Sequence, residues 1–287
     1  MGFVGIDWKL IISLPFPLDI KGGKEAYFIK QAITPSKIMS CFLVVIRLVT
    51  YIGVFLIYSL IGVMVHILFF VSKSQRFKWI LFFTHWWAKT TCWVLNFQFE
   101  IIGENFFKPG SLIVSNHIGT PDIFILGACF KGFFVSKVEI SDWPFFNLLA
   151  WLGMTIFTDR KNKWKVRSII QKIKTRLNAD CSVILFPESQ ATDGVDIFPF
   201  KSAVFESVVQ AGRTVVPVAL QYHDGNQPTI AYYGDSFFKH MITLLKNPRL
   251  KATVFILPEI SAGPSRHQLA KVSYESVRRR YLNREEG

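Results

Sequence analysis

A histidine and an aspartate stand five positions apart in the run Asn116-His117-Ile118-Gly119-Thr120-Pro121-Asp122. An imidazole titrates near neutrality, so it can take a proton from a hydroxyl and release it later. A carboxylate across a Gly/Pro-containing turn can fold back on one ring nitrogen. That fixes the tautomer and leaves the other nitrogen free to act as a base. Taken alone, the spacing is more often a structural histidine beside a helix-capping aspartate. Two further groups have chemistry to offer. Glu188, in Phe186-Pro187-Glu188-Ser189, is placed to orient a substrate hydroxyl or to anchor its own turn. Arg160 closes the run Gly153-Met154-Thr155-Ile156-Phe157-Thr158-Asp159-Arg160. Its guanidinium is a rigid fork for phosphate or carboxylate, or else the exposed end of a strand.

Strands must position these groups. Ser111–Ser115 (SLIVS) reads as a buried strand leading into His117, and Ser182–Phe186 (SVILF) as another leading into Glu188. Both motifs therefore fall at strand ends, where α/β domains place reactive groups. Ile123–Phe130 reads as a helix start and Ala203–Ala211 as a helix; Val215–Leu220, Ala231–Tyr233 and Thr253–Leu257 read as strands. This alternation predicts an α/β domain over 97–287, a central mixed sheet flanked by helices. Lys163–Asn178 is an amphipathic helix with Ile169, Ile170, Ile173 and Leu177 on one stripe. Its charges (Lys163, Lys165, Arg167, Lys172, Lys174 and Arg176) include no acid, which suits a solvated face or one turned toward anionic headgroups.

Ahead of that domain the chain changes character. Residues 1–37 mix polar and apolar side chains around Pro15, Pro17 and Gly22-Gly23, unlike a secretory signal. Residues 38–96 form a hydrophobic and interfacial helical anchor. Within it, Leu48–Ser72 carries no Lys, Arg, Asp or Glu and is long enough to span a bilayer, a re-entrant course being the alternative. Arg47 is expected to snorkel to headgroups at one end, with Lys73, Arg76 and Lys78 at the other. Phe77–Asn96, with Trp79, Trp86, Trp87 and Trp93, suits either the membrane interface or a helix packed on the domain. Half of the 287 residues are hydrophobic (51%) and 28 are Phe, more than an ordinary core needs. The net charge of +13 attracts polyanions, and the hydrophobic N-terminal half selects lipid over nucleic acid. The four cysteines are scattered without metal-ligand spacing, which suits a reducing compartment and no disulfides.

In this order and spacing, the motifs resemble the glycerolipid acyltransferase family that includes the 1-acylglycerol-3-phosphate acyltransferases. NHIGTPD is similar to its block I, GMTIFTDR to block II, FPES to block III and VVPVAL to block IV. Lys137-Val138-Glu139-Ile140 with Trp143-Pro144, and Pro199-Phe200-Lys201-Ser202-Ala203-Val204-Phe205, also fit, so the resemblance runs from about Phe77 to about Ile260. It implies His117 as base, Asp122 as its partner, and block I amides near the oxyanion. It further implies Arg160, Glu188, Ser189, Lys137, Lys201 and Pro217 around the substrates. The reaction implied is transfer of a fatty acyl group from acyl-CoA or acyl-carrier protein to a lysolipid hydroxyl, most simply 1-acylglycerol-3-phosphate, with no metal or cofactor. A membrane location follows, with the site at the cytosolic face where thioesters are made.

The chain departs from the family at block III, which usually reads FPEG followed by Thr-Arg. Here Ser189, Gln190 and Ala191 stand instead. The missing arginine is often assigned to the acceptor's phosphate. The stretch ATDGVDIFPFKSAVFE resembles a subgroup that includes lyso-ornithine lipid acyltransferases, whose acceptor has an amino-acid headgroup. A non-catalytic lipid-binding protein on the same fold is the reading of another class, and intact His117 and Asp122 weigh against it. A serine hydrolase is excluded for want of a Gly-x-Ser-x-Gly elbow.

Overall fold

The computed structural model describes residues 37–103, 108–138, 146–158, 163–223, 230–231, 237–263 and 265–283. By compactness the chain divides after Ser40. Of the N-terminal unit only 37–40, which open the first helix, are described. Everything that follows concerns Cys41 onward. The expected N-terminal segment, Arg160, and the motif residues Glu139, Ile140, Trp143 and Pro144 lie outside the described residues.

The chain runs α1 (Lys37–Leu68), α2 (Lys73–Val94), β1 (Phe97–Ile102), β2 (Leu112–Ser115), α3 (Pro121–Cys129), β3 (Gly132–Lys137), α4 (Phe146–Leu152) and β4 (Ile156–Thr158). It continues with α5 (Lys163–Asn178), β5 (Ser182–Leu185), a 3-10 turn (Ser202–Phe205), α6 (Glu206–Ala211), β6 (Thr214–Tyr222), α7 (Phe237–Lys246), β7 (Leu250–Ile256), β8 (Ile260–Ser261) and α8 (Arg266–Leu282). The strands form one sheet in the order β1-β7-β6-β2-β5-β3-β4, with β8 added to β6. β7 and β8 run antiparallel to β6, and the other pairings are parallel, so the sheet is mixed as expected.

Every residue of β2, β5 and β6 is buried, the mark of strands covered on both faces. The helices supply that cover. α2 packs on α3, α5 on β4 and β5, and α8 on β6 and the 3-10 turn. The apolar stripe of α5 is the expected one, with Ile169, Ile170, Ile173 and Leu177 all buried. Arg176 departs from the solvated face. It is buried, stacks over Phe133 with its guanidinium 4.6 Å from the ring centre, and donates to the Met154 carbonyl at 2.6 Å.

Three expectations change. Ala231 is in no strand, and Tyr232 and Tyr233 lie outside the described residues. Pro217 sits in the middle of β6, paired with Val114. Its carbonyl accepts from Leu257 N at 3.0 Å, so its nitrogen faces the gap between the stretches of β6 that pair with β7 (218–222) and β8 (214–215). A proline is tolerated there because no ladder bond is lost. Arg47 does not reach outward. It is 5% exposed and donates to the carbonyls of Leu245 (3.0 Å), Asn247 (2.5 Å) and Pro248 (3.1 Å), capping the C-terminal end of α7. Desolvating a guanidinium is costly unless its donors are filled, and carbonyls at a helix end fill them.

α1 has one helix-long apolar run, Phe42–Leu68, long enough to cross a membrane. Most of it is exposed, Val49, Leu56, Leu60 and Ile67 among others. α2 packs on the domain by one face and leaves tryptophans exposed on another. Phe77, Ile80, Leu81, Ala88 and Cys92 are buried against the domain, while Trp79, Trp86 and Trp93 are exposed. Trp87 packs edge-on against Phe124 of α3. Cys92, Cys129 and Cys181 are free thiols.

Candidate active site

Strand order brings the motifs together. β2, β5, β3 and β4 are consecutive and parallel, so their carboxyl ends lie side by side. Block I follows β2, block III follows β5, Lys137 ends β3, and Thr158 at the end of β4 pairs with it. Asn116, directly after β2, locks this edge to β6. Its side chain donates to the Leu220 carbonyl at 3.0 Å and accepts from Leu220 N at 2.8 Å.

His117 and Asp122 meet as expected. Nδ1 of His117 lies 2.7 Å from Oδ2 of Asp122. Asp122 is fully buried, whereas 22% of the His117 side chain is exposed. The same Oδ2 accepts from the amides of Ile118 (2.6 Å) and Gly119 (3.0 Å), and Oδ1 accepts from the Tyr222 hydroxyl at 2.5 Å. Four donors thus converge on one carboxylate and fix its plane. Burial first, then the Asp122 charge, pushes the Tyr222 phenol well above its usual range, so Tyr222 remains a donor. With Nδ1 donating to Asp122, Nε2 of His117 is the basic nitrogen. The ring stacks on Phe186, centroids 4.1 Å apart and 15° from parallel, which sets its plane. Gly119 is required by close approach, since a Cβ there would collide with the Ile230 carbonyl.

The expected oxyanion amides are otherwise engaged. Ile118 N and Gly119 N serve Asp122, and His117 N donates to Oε1 of Glu188 at 2.7 Å. Glu188 is 3% exposed, and its Oε2 accepts from Phe198 N at 2.6 Å. Each of its oxygens accepts from a backbone amide, so Glu188 sits behind the histidine main chain and anchors the turn. Burial pushes its carboxyl up to about 8, and the two amide bonds pull the other way. Thr192 N holds the His117 carbonyl at 2.9 Å, so the base is gripped at both its N–H and its C=O.

A cleft of about 820 Å³ opens on His117. Its walls are largely apolar: Tyr58, Gly62 and Val65 of α1; Ile80, Phe83 and Trp87 of α2; Leu149 and Leu152 of α4; Val166, Ile169 and Ile170 of α5. Ser189, Lys137 and Lys201 also line it, and among the described residues none that lines it is acidic. Pro217 and Glu188 do not line it. Ser189 has φ +73°, a left-handed conformation that explains the glycine usual at this position. Sequence reasoning missed Tyr222, Thr192 and the clamp made by Asn116. Asn116 lay inside a recognised motif. Tyr222 and Thr192 are distant in sequence, with no local pattern to mark them.

The acyltransferase family model matches residues 98–221. A lyso-ornithine lipid O-acyltransferase of Pseudomonas aeruginosa is 32% identical over 201 residues, 68% of this chain and 76% of that protein. A 1-acyl-sn-glycerol-3-phosphate acyltransferase of Neisseria gonorrhoeae is 28% identical over 174 residues, 59% of this chain and 68% of that one. The crystal structure of the 1-acyl-sn-glycerophosphate acyltransferase PlsC from Thermotoga maritima shares the fold, with a TM-score of 0.57 at 20% identity, over 84% of this chain and 99% of that chain. With block I assembled as a His–Asp dyad and a relative of this similarity over most of its length, the chain belongs to the PlsC-like acyltransferase family.

Proposed function

We propose that the protein transfers a fatty acyl group from a thioester, acyl-CoA or acyl-carrier protein, to the hydroxyl of a lysolipid. The observation that carries this is the His117–Asp122 dyad opening onto a largely apolar cleft whose charged lining groups, among the described residues, are Lys137 and Lys201. Nε2 of His117 takes the acceptor's hydroxyl proton as the oxygen attacks the thioester carbonyl. Asp122 stabilises the imidazolium so formed. The C–S bond breaks, and His117 returns the proton to the departing thiolate. Every bond and proton is accounted for without a metal, a cofactor or a covalent enzyme intermediate.

The lysines suit an acceptor with an anionic group, and 1-acylglycerol-3-phosphate is the simplest. Ala191 favours a second acceptor. It stands on the cleft wall where the family's arginine would hold phosphate, as would suit the amino-acid headgroup of a lyso-ornithine lipid.

The substrates are lipids, and α1 and α2 are the lipid-facing elements. Arg47 and His66 of α1 both bond the catalytic domain, the latter through Nε2 to the Leu152 carbonyl at 3.1 Å. They are separated by about 28 Å of helix, close to the thickness of a hydrocarbon core. Fastening to one domain along that length supports an anchor that lies in one leaflet over one that crosses both. Donor thioesters are made in the cytosol, which supports a site at that face.

The test is incubation of purified protein with a radiolabelled acyl thioester and each acceptor in turn, with His117→Ala alongside. Labelled diacyl product that vanishes in the variant supports the reading, and the acceptor that gives it decides the headgroup. No product from either acceptor would refute it.

A further inference from the structure

We infer that α8 is a clasp that positions block I, acting through the loop between Ser189 and Lys201, and that Arg278 and Tyr281 are its positioning residues for acyl transfer. This rests on the acyltransferase reading above.

The loop makes the two contacts that grip the catalytic histidine's backbone. Thr192 N holds the His117 carbonyl, and Phe198 N holds the far oxygen of Glu188, whose near oxygen takes His117 N. The loop itself has little regular structure, so something else must fix it. α8 does so at three points. The Tyr281 hydroxyl donates to the Gly194 carbonyl at 2.5 Å, two residues from Thr192. Arg278 makes a bidentate pair with Asp196, Nε to Oδ1 at 3.0 Å and Nη2 to Oδ2 at 2.7 Å, two residues from Phe198. Tyr274 packs edge-on against Phe200. α8 is in turn tied to the sheet by Gln221 of β6, whose side-chain amide donates to the carbonyls of Arg280 and Tyr281, both at 2.9 Å. Gln221 precedes Tyr222, the donor to Asp122. One helix end is therefore linked to both members of the dyad.

The Arg278–Asp196 pair is exposed, at 42% and 45% for the two side chains. Exposed pairs contribute little to stability, so a purely structural account gives it nothing to do. Its effect instead falls on placement, where a shift of a fraction of an ångström at the base costs rate.

The test compares wild type with Arg278→Gln, Arg278→Lys and the charge swap Arg278→Asp/Asp196→Arg. In Arg278→Gln, kcat is expected to fall between about tenfold and about a hundredfold, the scale of a misplaced base, with the melting temperature and the KM for the donor little changed. Arg278→Lys should recover part of the loss and the charge swap most of it. Amide hydrogen exchange at residues 117 and 198 should quicken in Arg278→Gln and return toward wild type in the swap. The exchange measurement needs no substrate, so it tests the clasp even where neither acceptor is turned over. Wild-type kcat in Arg278→Gln, or unchanged exchange at both amides, would overturn the proposal, as would a swap that restores neither.

Discussion

Replacing Asp122 by Asn separates the charge of the dyad from its geometry. The Asn carbonyl can occupy the place of Oδ2 and still accept from His117 Nδ1 and from the amides of Ile118 and Gly119. Its NH₂ then faces the Tyr222 hydroxyl, which can turn and accept. The tautomer and ring position of His117 should therefore survive, and the melting temperature should change little. What is lost is the negative charge that faces the imidazolium once the acceptor's proton has moved. With the charge centres about 4 Å apart in an effective dielectric of about 20, that interaction is about 4 kcal/mol, or roughly a thousandfold in rate. The change is realised only as the proton transfers, so it should appear in kcat and leave the donor's KM nearly constant. The assay is thiol release from an acyl thioester under saturating acceptor, with thermal unfolding of each variant alongside. A folded Asp122→Asn protein that keeps kcat within about tenfold of wild type, while His117→Ala abolishes turnover, would refute the electrostatic argument and reduce Asp122 to a scaffold.

Other outcomes follow from the surroundings of the dyad. Glu188→Gln places an NH₂ against one of the two amides that Glu188 now accepts, so a buried N–H loses its acceptor at a cost of about 1–3 kcal/mol. Urea denaturation should show the loss, and retained wild-type stability would count against the cross-link. Because burial raises the Glu188 carboxyl from its ordinary 4.5 to about 8, the native state holds that proton while the unfolded chain has released it. This contribution to stability is fully present below pH 4.5 and is lost as pH rises toward 8. The decline should be absent in Glu188→Gln, and a Gln variant that keeps it would assign it elsewhere. Ser189→Gly relieves a left-handed residue, worth about 1–2 kcal/mol, against about 0.5–1 kcal/mol of added chain entropy. A small net stabilisation is expected in denaturant titration, and destabilisation would show that the Ser189 side chain holds the turn. Arg47→Met strips the partner from the carbonyls of Leu245, Asn247 and Pro248. It should lower the melting temperature in detergent through a loss of about 2–4 kcal/mol, whereas a headgroup-facing arginine would leave it unmoved.

What could be read from the chain and what could not divide along a physical line. The strands before His117 and Glu188 were visible because fully buried parallel strands are short unbroken apolar runs, as in SLIVS and SVIL. The neighbourhood of the two motifs depends on β2 pairing with β5, a parallel crossover between segments some seventy residues apart, and no local pattern encodes it. α8 escaped for a different reason. Its core face is sparse (Leu269, Ala270, Ser273, Val277 and Tyr281), and four arginines crowd the rest, so its periodicity is faint. Only the block III resemblance implies an acceptor-site role for Glu188; its residue type alone fits a substrate hydroxyl or its own turn equally. Its two backbone bonds require Phe198 to return to it across a loop that has no signature. Arg47 looked like a snorkelling end of an apolar run. Its carbonyl partners lie about two hundred positions away.

The same distance effect changes what the anchor is. Hydropathy separates an apolar 38–96 from an α/β domain beginning at Phe97, where β1 starts. The cleft ignores that division. Tyr58, Gly62 and Val65 of α1 and Ile80, Phe83 and Trp87 of α2 line the cleft together with residues of α4 and α5. Gly62 packs against α4, where a Cβ would lie 3.2 Å from the Leu152 side chain. Tyr58 reaches Thr90 of α2, oxygen to oxygen at 3.1 Å, and His66 reaches the Leu152 carbonyl. An element that only tethered an enzyme to a bilayer would have no cause to line an apolar cavity or to bury an arginine against α7. Removing residues 1–72 to obtain a soluble domain should therefore expose the buried side of α2, where Phe77, Ile80 and Leu81 lie with Val65. It should also open the cleft to water along its length. Such a fragment is expected to lose transfer to long-chain acceptors even with the His117–Asp122 pair intact. A truncated protein that turned over at the wild-type rate in detergent would show that α1 is a tether and that its contacts with the cleft are incidental.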